Sequence, residues 1–182
     1  PLTAALRRRL GVVGAQQTLL VIAGIALISI MVVPTALIPV CLVLAGFGLA
    51  GPQTLTNVLF AEVADEDELR SGVRREGAFF GVNALLTKPA QSVALALLPF
   101  ILQATDFVTR EANQGQIFLN QPAAAIWGIK ALVGLIPGCA MLLGALILTR
   151  FPLRGDYLRK VQADVLALHA QKRAQLDLTA NH

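Results

Sequence analysis

The chain has 182 residues, of which 55% are hydrophobic and 14% charged, with a mean hydropathy of +0.67 and a net charge of +4. Such a chain is too apolar for an ordinary soluble domain and points to lipid as the solvent. His169 and His182 fall in the polar C-terminal stretch, and Cys41 and Cys139 fall in apolar runs. A histidine or cysteine catalytic centre, a bound metal and a redox motif are therefore not expected, nor is an enzyme of any soluble hydrolase type.

In chain order, residues 1–10 read as the end of a loop that carries Arg7, Arg8 and Arg9, and a loop end at this place predicts upstream sequence. The first apolar stretch runs over 11–33, too long for a signal-peptide core and followed by others. Crossing about 30 Å of hydrocarbon at about 1.5 Å per residue takes about 20 apolar residues. Four stretches meet that length, over about 11–33, 36–60, 77–103 and 123–149. Twelve of the 15 basic residues lie before the first span, between the second and third, or after the fourth, and Arg110 and Lys130 lie on the opposite side. Short cytoplasmic loops are enriched in Lys and Arg, so both ends are expected to be cytoplasmic. The positive charge then needs no nucleic acid. The loop over 104–122, rich in Asn and Gln, reads as a solvated outward connection.

Inside the second span, Gly46-Phe-Gly-Leu-Ala-Gly51 satisfies a GxGxxG pattern. A dinucleotide cradle needs a strand before it and a helix after it. Within an apolar helix and just before Pro52, the small residues instead predict close helix packing. Gln53, Thr56 and Asn57 follow at spacings that group them on one face.

Between the second and third spans lies the run Glu62-Val-Ala-Asp65-Glu-Asp-Glu68-Leu-Arg70-Ser-Gly-Val-Arg74-Arg75-Glu76, with its acids first and bases second. Read as a loop, it can fold into ion pairs with itself or with Arg7 to Arg9. Such pairs, broken and remade, make a gate.

Lys88 stands eleven residues past Gly77, about 16 Å along a helix and close to the bilayer midplane. A lysine there costs about 3 kcal/mol or more unless it meets water, a counter-charge or the bundle interior. Asn83, Thr87, Gln91 and Ser92 share its half of the helix, with Leu85, Val93 and Leu97 opposite. Polar faces on two neighbouring spans predict an aqueous cavity lined by Lys88, Asn83, Thr87, Gln91, Gln53 and Asn57.

Beyond the fourth span, Leu158, Val161, Val165 and Leu168 recur every three or four residues, with Arg159, Lys160, Lys172 and Arg173 on other faces. The pattern predicts an amphipathic cytoplasmic helix within 151–182, resting on the bundle or on lipid.

The stretch Asp65-Glu-Asp67-Glu68-Leu69-Arg-Ser-Gly72-Val-Arg74-Arg75-Glu76-Gly77-Ala-Phe79-Phe80-Gly81, with Lys88 at the matching distance, resembles the glycoside-pentoside-hexuronide:cation symporters of the major facilitator superfamily. The end of the chain, from Trp127-Gly-Ile-Lys130 through Leu135-Ile-Pro137 to Phe151-Pro-Leu153, is similar to that family's twelfth span and exit. The resemblance implies an all-α membrane fold whose four spans are helices nine to twelve. It also implies a separate N-terminal half that binds the coupling cation, Na⁺ or H⁺, and no other cofactor. Lys88 would sit beside the substrate and cation sites, with Asn83 and Thr87 lining the cavity. Glu62, Asp65, Glu68 and Arg74 would belong to a cytoplasmic ionic lock, with Arg70, Arg75 and Glu76 beside them.

Two departures bear on the solute. Gln53 stands where the melibiose permease branch has a cavity tryptophan, and Pro89 stands where the family has a glycine. Ring stacking against a sugar is not available from Gln53, which leaves a lipid-like or other organic solute as a second reading. A reading from another class is a non-transporting membrane scaffold, which predicts Lys88 salt-bridged within the four helices.

Overall fold

A computed structural model describes residues 2–110, 112–116 and 118–180; His182, placed above in the polar tail, lies outside the described residues. Among the described residues every regular element is helical. Four segments are long and apolar enough to cross a membrane, as the hydropathy predicts. The protein is a multi-pass α-helical membrane protein.

Helix α1 (Leu2–Ser29) begins nine residues before the expected span, because the basic stretch is itself helical. Gly11 breaks it with φ 74°, a left-handed backbone that only glycine adopts without strain. Arg7, Arg8 and Arg9 thus stand on a short segment set off from the apolar turns. The helix ends at Ser29 rather than at Val33, and its last residues close in turns onto Leu27, Ile28 and Ser29 carbonyls. A short 3₁₀ turn (Thr35–Leu37) leads into α2 (Ile38–Ser71), with Pro39 in its first turn.

The run 62–76, read from the sequence as a loop, is largely helix. Helix α2 has 34 residues, about 50 Å against about 30 Å of hydrocarbon, so its acid-rich last turns project beyond the apolar layer. The charges themselves extend the helix: Glu66 and Arg70, one turn apart, pair at 2.5 Å. Gly72 ends it at φ 74°, its N–H donating to the Glu68 carbonyl. Only Gly72 to Arg75 remain outside helix.

Helix α3 (Glu76–Ala104) contains Pro89 and Pro99. At the far end, the Gln121 side chain clips the connecting loop by bonding both the N–H and the carbonyl of Val108. The fourth span is one column of three pieces: α4 (Ala123–Lys130), a π turn (Ala131–Leu135) and α5 (Ile136–Leu148). The amphipathic tail is α6 (Gly155–Ala180).

The core lies between α1, α2 and α5. Val12, Val13, Ala15 and Leu19 pack on Leu55 and Leu59, and Ala26, Leu27 and Ile30 pack on Cys41 and Ala45. Small residues set the distance. A Cβ on Gly48 would lie 2.5 Å from the Ala23 Cβ and 2.6 Å from the Leu19 carbonyl, and one on Gly138 would lie 2.9 Å from the Gly24 carbonyl. The GxGxxG segment is therefore a packing surface. Helix α3 differs, with no buried residue among those described.

Candidate functional site

Two groups of polar residues occupy different levels of the molecule. The first is on α3, where Lys88, Thr87 and Gln91 are exposed and Asn83 is half-buried. The Thr87 hydroxyl donates to the Asn83 carbonyl at 2.9 Å, and the Ser92 hydroxyl to the Lys88 carbonyl at 3.2 Å. These hydroxyls satisfy themselves locally, while the Lys88 ammonium has no ion pair among the described residues. Pro89 lacks an N–H, so the Leu85 carbonyl loses its helical donor one turn before Lys88. A cation, two amides and a freed carbonyl thus fall within about two turns.

On α2, Gln53 and Asn57 are exposed on the face away from α1. Thr56, grouped with them by spacing, turns instead toward α1, where its hydroxyl receives a 3.4 Å hydrogen bond from the amide of Gln16. Gln16 is 5% exposed and its Oε1 has no partner. Sequence reasoning passed over Gln16, because one amide in an apolar run carries no pattern. No hydrogen bond joins Lys88 to Gln53 or Asn57 among the described residues, and α3 meets α2 at the base, where Phe60 and Phe80 pack edge to face at 5.5 Å.

The second group is the charged joint at the end of α2, which brings four of the seven acids and bases named from the sequence, Asp65, Glu68, Arg74 and Glu76, into one network. Arg74 is its hub, reaching Asp65 at 3.0 Å, Glu76 at 3.2 Å and Glu68 at 3.5 Å. Arg75 grips Asp67 with two bonds of 2.9 and 3.1 Å. The bidentate geometry fixes the start of α3 against the end of α2. Arg70 turns outward to Glu66. Glu62 is 5% exposed with one oxygen unpartnered, and Arg7 acts on it electrostatically across the α1–α2 contact.

Glu68 is the most enclosed acid of the joint, at 3% exposure. Two partners come from the tail: Lys172 at 2.7 Å and His169 at 3.0 Å. Their hydrogen bonds outweigh burial and hold its pKa down to about 2. Tyr157 adds a hydroxyl donated to Glu66 at 2.8 Å. The spacing had a usable signal: His169 and Lys172 continue the side begun by Val161 and Val165 in steps of four and three.

A family model described as MFS/sugar transport protein matches residues 1–155. The chain belongs to that family. Within it, an uncharacterized symporter of Synechocystis sp. is 34% identical over 116 residues, which cover 64% of this chain and 21% of that protein. A glucuronide carrier protein homolog of Escherichia coli is 25% identical over 154 residues, covering 85% of this chain and 31% of that protein. The chain thus spans about a fifth to a third of the length of the relatives it matches. No solved structure matches it. The family match covers the α2–α3 joint and Lys88, and it agrees with the resemblance carried by those residues.

Proposed function

We propose that this chain is part of a cation-coupled secondary transporter, contributing helices nine to twelve of a major facilitator fold in a bacterial inner membrane. The basic ends of α1 and α6 and the α2–α3 joint face the cytoplasm, following the distribution of Lys and Arg. The solute is a glycoside or glucuronide, a class suggested by the name of the Escherichia coli relative. No bond is made or broken. Work is done by coupling cation binding to solute binding across two conformations.

The observation that carries this reading is Lys88, a cation at midspan on an exposed polar face beside the opened backbone at Pro89. A charge costing this much at that depth is retained where it meets water or a ligand. Its ammonium would organise the site together with Thr87, Asn83 and Gln91 from α3 and Gln53 and Asn57 from α2. The joint of Glu62, Asp65, Glu68, Arg70, Arg74, Arg75 and Glu76 acts as the cytoplasmic gate. Single exposed pairs contribute about 0–1 kcal/mol, but several sharing one guanidinium can tip a balanced two-state equilibrium.

The test is uptake of labelled glycosides and glucuronides by vesicles containing the complete transporter, under an imposed Na⁺ or H⁺ gradient. Lys88→Ala is expected to abolish gradient-driven accumulation at an unchanged level of inserted protein. Lys88→Arg is expected to restore little, because a planar fork does not replace a compact ammonium. Normal driven accumulation by the alanine variant would defeat the reading.

A further inference from the structure

Glu68 joins two parts of the chain that are about a hundred residues apart. One oxygen takes Lys172 at 2.7 Å, and the other is shared by His169 at 3.0 Å and Arg74 at 3.5 Å. Lys172 and His169 belong to α6, whereas Arg74 belongs to the joint and also serves Asp65 and Glu76. A carboxylate this enclosed is tolerated only while it is paired. If α6 leaves, Arg74 alone must balance Glu68, Asp65 and Glu76.

The seat of α6 is small enough to be left. Val161 and Val165 are its buried side chains, packed with Leu153 against Val63, Leu69 and Phe151. Beside them lies a cleft of about 380 Å³, lined by Asp65, Arg74, Gln162 and His169 among others. Near the end of the helix, Leu178 is 67% exposed. Polar contacts add to that seat, Tyr157 with Glu66 in the first turn and His169 and Lys172 with Glu68 farther along.

We propose that α6 is a latch on the joint: docked, His169 and Lys172 neutralise Glu68 and leave Arg74 to tie Asp65 to Glu76; undocked, the joint loosens. This rests on the reading of the joint as a gate. His169 and Lys172 are positioning residues, acting through Glu68 and not on the solute. Anything that draws α6 away would then open the cytoplasmic side without touching the transport cavity.

The experiment uses the complete transporter with Cys41 and Cys139 replaced by alanine. Spin labels at Val73 and Ala170 report tail docking as a distance distribution. A separate cysteine at Ala84, one turn from Lys88 on the same face, reports access of an impermeant thiol reagent from the charged side. His169→Gln with Lys172→Gln is expected to broaden and lengthen the distances. It should also raise the Ala84 labelling rate about fivefold, the factor matching about 1 kcal/mol. Lys172→Arg alone should keep both readouts unchanged. Arg74→Glu, with the tail intact, separates the two ideas. If Arg74→Glu raises labelling but the released tail does not, the latch is wrong and the gate stands. If Arg74→Glu leaves labelling unchanged, the gate reading fails and the latch with it. A tail that stays docked in the double variant also overturns the latch.

Discussion

Helices α1 and α3 have comparable length and hydropathy, yet 56% of the apolar window of α1 is buried and none of α3's is. The difference lies in their small and polar residues. Ala15, Ala23 and Ala26 let α2 and α5 come against α1, and its amide Gln16 turns inward to Thr56. Helix α3 instead carries half-buried Asn83 and exposed Thr87, Lys88 and Gln91, along with two prolines that thin its hydrogen-bond ladder. Hydropathy alone does not distinguish a helix that holds a bundle together from one that stays exposed. The distribution of small and polar side chains does.

The largest effect expected from this contrast is steric. Gly48→Leu drives a side chain into the Ala23 and Leu19 backbone, where nothing can yield, and overpacking of this kind costs about 3 kcal/mol. A Cβ on Gly81 of α3 meets nothing within 4 Å, so Gly81→Leu starts into open space. Thermal stability of the purified protein should fall sharply for the first and stay within a few degrees for the second. Equal losses at both positions would erase the distinction between the helices.

A smaller effect of opposite sign is expected at Gln16. Its buried Oε1 is unpaired, so Gln16→Leu removes an unsatisfied acceptor, while the Thr56 hydroxyl can bond back to its own helix. A gain of about 1 kcal/mol is expected. A marked loss would mean that the Gln16–Thr56 bond holds α1 to α2 more strongly than its 3.4 Å length indicates.

The smallest effect is expected at the charged end. The folded pKa of Glu68 lies below its ordinary value, so its contribution is complete above about 4.5 and is lost as pH falls toward about 2. Lys172, His169 and Arg74 face it with positive or protonatable groups, and Asp65 lies across Arg74. Between pH 7 and pH 5 the Val73–Ala170 distance should therefore not lengthen. Release in that range would show that Glu68 is not what the tail holds.

The four spans were legible because about 20 apolar residues have few alternatives to crossing a membrane. The tail's seat was legible because Val161 and Val165 keep helical spacing beside polar neighbours. The acid-rich run was harder, since charge density reads equally as solvated loop or as exposed helix. Pairs such as Glu66–Arg70 decide for helix only once the chain is already coiled. The side of α6 that carries His169 and Lys172 followed from their spacing with Val161 and Val165, but their pairing with Glu68 did not, because no local pattern links side chains a hundred positions apart. Lys88 stood out by depth alone. What faces it does not follow from spacing, as Thr56 shows by turning toward α1.

The proposed transport cavity requires one side of α3 to meet water within the membrane while the other meets lipid. Single cysteines at Asn83, Thr87 and Gln91, and at Leu85, Val93 and Leu97, treated with a membrane-impermeant thiol reagent in the complete transporter, test it directly. Reaction is expected at the first three and little at the last three, with protection of the first three by transported solute. Uniform reaction around the helix, or none at Thr87 and Gln91, would contradict it.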